Sequence, residues 1–125
     1  MKLMKNFLAI GILVAITCAF TADNTKLKFG VTTHAFGKIK QNTPVTFDFT
    51  FVNNTTARVI IEDATAECGC TKPTYPMQPI QAGKGGKISV TYDAKTLGSF
   101  NKKITVKLVN DDNPLILSIS GEVIP

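Results

Sequence analysis

Residues able to do covalent or coordination chemistry are concentrated in one segment, Glu67-Cys68-Gly69-Cys70-Thr71, followed by Lys72-Pro73. Three readings fit it. In the first, Cys68 and Cys70 form a disulfide, as an oxidising compartment favours. On an extended strand their α-carbons would lie about 6.6 Å apart with parallel side chains, too far for β-carbons that want about 3.8 Å, so Gly69 would have to bend the chain. Closing three residues stabilises by only about 1.6 kcal/mol, so such a bridge is a reducible element more than a staple. In the second reading the two thiolates chelate a soft metal, Cu(I) or Zn²⁺, with Gly69 supplying backbone freedom. Two sulfurs do not close a site; His34, the only histidine, is the candidate third ligand, with Glu67 and Met77 as further donors. In the third the cysteines are small apolar packing residues at a strand end.

Catalysis of other kinds has little to work with. His34 is the only near-neutral base, no serine sits in a nucleophile elbow, and Cys-Gly-Cys is not the Cys-x-x-Cys of a helix start, so the chain is expected not to be an enzyme. Gly83-Lys-Gly-Gly-Lys87 is glycine-rich, but Ile88 follows where a phosphate-binding loop needs Ser or Thr opening a helix, so it reads as a turn. Asn110-Asp-Asp-Asn113 lacks the alternate spacing and distal Glu of a calcium loop, and Pro114 fits a chain reversal. Asn53-Asn54-Thr55 and Asn54-Thr55-Thr56 both match the glycosylation sequon; a hairpin turn is the plainer reading.

The elements that must hold these residues read as strands. Val45-Thr-Phe-Asp-Phe-Thr-Phe51 alternates apolar and polar with the period of a half-buried strand, and a slip of one residue would expose three phenylalanines. Ile88/Val90/Tyr92 and Ile104/Val106/Leu108 repeat the pattern. Further strands are expected at Lys26 to Thr32, Arg58 to Ala66, Lys87 to Asp93, Lys102 to Val109 and Leu115 to Val123, with no helical stretch of ten residues among them. The architecture this predicts for residues 23–125 is all-β: an immunoglobulin-like antiparallel β-sandwich of about seven strands, without the Cys…Trp…Cys core of antibody domains.

Residues 1–22 have a different character. Lys2 and Lys5 precede an uncharged stretch from Asn6 to Ala22, closed by Asp23, which is the order of a secretory signal peptide with an uncertain cleavage point. A retained anchor is the alternative, and Cys18 is a candidate lipidation site, though Thr17 before it departs from the usual small-residue pattern. The expected address is therefore export, to the periplasm or beyond, with membrane attachment only through the leader or a lipid on Cys18. With 125 residues and 13.5 kDa there is room for one domain behind the leader. The two leader lysines account for part of the +5 net charge, and the remaining basic residues are scattered without interleaved stacking aromatics, which argues against nucleic-acid binding.

The residues also carry a resemblance. His34-Ala-Phe-Gly-Lys-Ile39, the alternating strand ending Phe51-Val-Asn53, Cys68-Gly-Cys-Thr71, Pro79-Ile80 with Gly83, Ile88-Ser-Val-Thr-Tyr-Asp93, Gly98-Ser-Phe-Asn-Lys102 and Leu117-Ser-Ile-Ser-Gly121-Glu-Val123 resemble domain-of-unknown-function family 1573 over nearly all of the mature chain. The resemblance implies an exported single domain with an immunoglobulin-like sandwich related to Hydin-type domains, and no defined activity. Ala35 and Ala82 stand where the family often has Asp and Pro; without a carboxylate at position 35, His34 lacks a neighbour to orient it as a ligand. The expectation is a monomeric, non-enzymatic binding or structural component of the cell envelope whose partner is another envelope protein. The alternative is a soft-metal or thiol-redox protein centred on Cys68 and Cys70, with Cu or Zn as the metal.

Overall fold

The alternating segments pair into two sheets because each has one apolar face to bury. The computed structural model describes residues 26–125; residues 1–22, expected to be a leader, and Cys18 among them lie outside. Eight strands are formed: β1 (Leu27–Phe29), β2 (Thr33–Lys40), β3 (Val45–Asn53), β4 (Ile61–Ala66), β5 (Thr71–Thr74), β6 (Gly85–Tyr92), β7 (Gly98–Leu108) and β8 (Leu115–Ile124). One sheet has the order β1-β3-β6-β5 and the other β2-β8-β7-β4. Phe49, Phe51, Ile88 and Val90 from the first meet Ile104, Val106, Leu117 and Ile119 from the second, all buried in a single core.

The sandwich is the expected one, with two corrections. There are eight strands, and they are not all antiparallel: β2 runs parallel to β8, pairing Thr33 with Ser118 and Lys40 with Ile124. The single strand expected from Lys26 to Thr32 is really the short β1, after which the chain leaves the first sheet near Gly30 and joins the edge of the second as β2. Gly37, at φ +74°, lies in the register shift between Ala35 and Lys38, a left-handed position that a side chain would strain. The Arg58 to Ala66 run becomes regular only at Ile61; Val59 makes an isolated bridge to Ile80 instead. β5 was masked in the sequence by Pro73, which a strand tolerates at a sheet edge.

The turns are turns. Gly83, at φ +75°, reverses the chain into strand β6 and not into a helix. Between β7 and β8 the Asp111 carboxylate accepts a hydrogen bond from the Asn113 amide at 3.0 Å, which commits it to the chain reversal. Asn53 is no surface hairpin residue: it is fully buried, while Asn54 beside it is exposed. A glycan at Asn53 is therefore sterically closed.

Candidate functional site

The Cys68–Thr71 segment is a tight turn joining β4 of one sheet to β5 of the other. The Thr71 amide donates to the Cys68 carbonyl at 3.3 Å, and the Asp93 amide donates to the Cys70 carbonyl at 2.9 Å. The turn brings the two α-carbons to 5.3 Å, inside the range a disulfide spans, and the structure joins Cys68 and Cys70 through their sulfurs. The bend that the sequence reading assigned to Gly69 is present, but Gly69 does not adopt a positive φ, and nothing lies within 4 Å of where its β-carbon would be. The turn itself, not glycine's freedom, shortens the span.

Both cysteines are half-buried, and their environments differ. Cys70 packs against the hydrophobic core, while Cys68 is not part of that cluster. Beside them is Thr71, 3% exposed, whose hydroxyl lies 3.7 Å from the Cys70 sulfur and 4.0 Å from the Cys68 sulfur. A disulfide carries no hydrogen, so the hydroxyl is the donor to both. Sequence reasoning passed over Thr71; the available signal was a Thr placed directly after Cys-Gly-Cys and at the start of a proline-bearing edge strand.

The other candidates for a metal site are elsewhere. His34 lies on β2, its ring stacked on Phe47 at 3.7 Å between centroids and edge-on to Phe36 at 4.7 Å. β2 and β4 occupy opposite edges of their sheet, about 14 Å apart by strand spacing alone, so His34 does not reach the turn that follows β4. Met77 is 78% exposed on the loop after β5, and Glu67 is exposed. Among the described residues no three His, Cys, Asp or Glu side chains gather into a cluster fit for a metal.

A second feature is a sheet edge whose location the sequence could not give. β1 covers only the C-terminal end of β3, pairing Leu27 with Asn53 and Phe29 with Phe51. Thr50 accepts from the Gly30 amide and Asn54 donates to the Lys26 carbonyl, so even-numbered residues of β3 direct their backbone groups outward, while Asn53 bonds to the β6 side. By that alternation the N–H and C=O groups of Thr46 and Asp48 face an edge with no strand beside it among the described residues. Beside this gap β2 presents its own outer edge, and the half-buried rings of His34, Phe36 and Phe47 line the seam between the two sheets. The Asp48 carboxylate accepts from the Ser89 hydroxyl and lies 3.5 Å from the Lys87 ammonium. The Ser89 bond foremost holds its carboxyl below the usual range, against an opposing desolvation and with help from the Lys87 charge.

The profile of the family described as Protein of unknown function (DUF1573) matches residues 27–123. The chain belongs to this family. No curated protein matches it in sequence. Among solved structures, this DUF1573 domain is similar to the ASH / PapD-like domain of human CEP192, with a TM-score of 0.67 and 12% identity over 80% of this chain and 86% of that one. It also resembles a protein of unknown function from Porphyromonas gingivalis W83, with a TM-score of 0.67 and 11% identity, covering 77% of this chain and 46% of that one. The secreted serine protease VesC from Vibrio cholerae aligns with a TM-score of 0.60 and 10% identity over 78% of this chain, but only 23% of the protease. At these identities the likeness is one of fold: an immunoglobulin-like, PapD-like sandwich. That fold and a family without assigned activity are compatible with a binding or structural role.

Proposed function

We propose that this DUF1573 domain is an exported, non-enzymatic binding module of the cell envelope, working as a monomer that takes an extended segment of another envelope protein onto the open edge of β3. The observation that carries this reading is the outward alignment of the Thr46 and Asp48 backbone groups, with no strand beside them among the described residues. A segment added there gains main-chain hydrogen bonds, and its inward side chains meet the seam of His34, Phe36 and Phe47. The leader supports export: a basic start, an apolar centre and small residues before Asp23.

The test is a substitution that closes the edge without touching the β6 ladder. In Asp48→Pro the lost N–H is one that faces outward, so the domain stays folded while strand addition is blocked. Asp48→Ala controls for the carboxylate. Partner capture from envelope extracts by wild type, by Asp48→Ala and by the Cys68→Ser/Cys70→Ser double variant, with loss in Asp48→Pro, supports the reading. Capture by a folded Asp48→Pro at wild-type level refutes it.

A specific observation favours a second reading, that the Cys68–Cys70 turn is a thiol-redox element. The two sulfurs are bonded across a three-residue loop too short for the bridge to add much stability. Metal binding has no comparable support, since His34 lies away from the cysteines.

A further inference from the structure

Resting on the redox reading of the Cys68–Cys70 turn, we propose that exchange at this disulfide has a fixed direction: an external dithiol attacks the Cys68 sulfur, Cys70 leaves, and the buried Thr71 hydroxyl receives the charge on the leaving sulfur. Three observations assign the roles. Both cysteines are half-buried, but Cys70 is packed against the hydrophobic core, so one side of it is closed to an incoming thiolate, while Cys68 is outside that cluster. The Thr71 hydroxyl is nearer the Cys70 sulfur, 3.7 Å against 4.0 Å. Finally, Thr71 is fixed in place: it is buried, it begins β5 opposite Tyr92, and its amide is tied to the Cys68 carbonyl.

The chemistry balances with a dithiol as reductant. One of its thiolates forms a bond to the Cys68 sulfur while the Cys68–Cys70 bond breaks, and the electron pair of that bond stays on Cys70 as a thiolate. The second thiol of the reductant then attacks its own sulfur in the mixed disulfide, releasing Cys68 as a thiolate. The dithiol ends as a disulfide, two electrons poorer, and its two protons pass to Cys68 and Cys70. Thr71 is a positioning residue in this sequence. Its hydrogen bond to a neutral disulfide sulfur is long and weak, and it strengthens as negative charge develops on Cys70, so it favours the transition state over the ground state. The hydroxyl has no other partner among the described residues, so it is free to follow the charge.

The experiment uses the full mature domain with dithiothreitol as the probe, following loss of the disulfide by thiol labelling and intact mass. Thr71→Val keeps the shape and removes the donor; it is expected to slow reduction roughly tenfold, the size of one hydrogen bond to a charged group. Thr71→Ser, which restores the hydroxyl but not the methyl, is expected to return the rate to within about twofold of wild type, an order that a packing role would reverse. Acid quenching during reaction with a bulky thiol, followed by fragmentation of the 67–72 peptide, is expected to place the adduct on Cys68. An adduct on Cys70, or a folded Thr71→Val reduced at the wild-type rate, overturns the proposal while the redox reading stands. A wild-type disulfide that resists excess dithiol overturns both.

Discussion

Asn53→Ala is the substitution whose cost the structure defines best. The Asn53 side chain is fully buried and uses all of its hydrogen-bonding capacity. Its amide donates to the Ala57 and Ile80 carbonyls, both at 2.8 Å, and its oxygen accepts from the Thr55 amide at 3.0 Å and the Thr55 hydroxyl at 2.7 Å. Truncation does not orphan every partner. The Ala57 carbonyl keeps the Thr55 hydroxyl and the Ile80 carbonyl keeps the Val59 amide, but the Thr55 amide has no other partner among the described residues. Four bonds at about 1 kcal/mol each, partly offset by those retained contacts, give a loss of about 3 kcal/mol. For a domain of this size that is a fall in Tm of roughly 12–24 °C, and a large share of the roughly 5–15 kcal/mol a domain has to lose. Urea unfolding followed by circular dichroism reads it as a lowered midpoint with an unchanged slope. Asn54→Ala, at an exposed neighbour bonded only through its backbone, is the control and is expected to cost under about 0.5 kcal/mol. A loss below about 1 kcal/mol for Asn53→Ala would refute the claim that this side chain ties the end of β3 to the Ile80 loop.

Other consequences follow from neighbouring features. Gly121→Ala would set a β-carbon 2.8 Å from both the Gly37 carbonyl oxygen and the Phe100 ring, so it should cost about 1–3 kcal/mol by pushing β2 off β8; a Tm within 2 °C of wild type, on the order of less than 1 kcal/mol, would count against that packing. Gly69→Ala, by contrast, meets open space at an ordinary φ and should leave both Tm and the disulfide unchanged, whereas a disulfide that no longer forms would show that glycine is required there. Because Ser89 and Lys87 depress the Asp48 carboxyl, its stabilising contribution is present above its unfolded-state value and is lost as pH falls through the folded one. Ser89→Ala should move its titration upward in a carbon-detected NMR titration, and an unmoved midpoint would remove Ser89 as the cause. Protein purified from its own envelope without reductant should have an intact mass that lacks residues 1–22 or nearly so, and is two hydrogens short until mild reduction.

The sheets were legible because a period of two with phenylalanines on one face leaves a strand no choice of register: Phe49 and Phe51 had to be inside, and they are. What the periodicity could not reveal was which sheet a strand joins. The expected strand from Lys26 to Thr32 stops at Phe29, and Thr33 to Lys40, which the sequence did not mark as a strand, pairs parallel with β8 in the other sheet. That crossing leaves Thr46 and Asp48 with no neighbouring strand among the described residues, since the chain after β1 continues as β2 in the second sheet. The edge is thus a property of topology and left no mark on residue types. The cysteine pair was visible at once, but its chemistry was not: the 5.3 Å span comes from a turn, and the asymmetry between its sulfurs comes from the core behind Cys70 and the hydroxyl of Thr71. His34 failed as a ligand for the same topological reason. A lone histidine beside Phe36, in a chain whose next aromatic strand begins at Val45, is as well explained by ring packing at 3.7 Å on Phe47 as by coordination, and the strand order decides for packing.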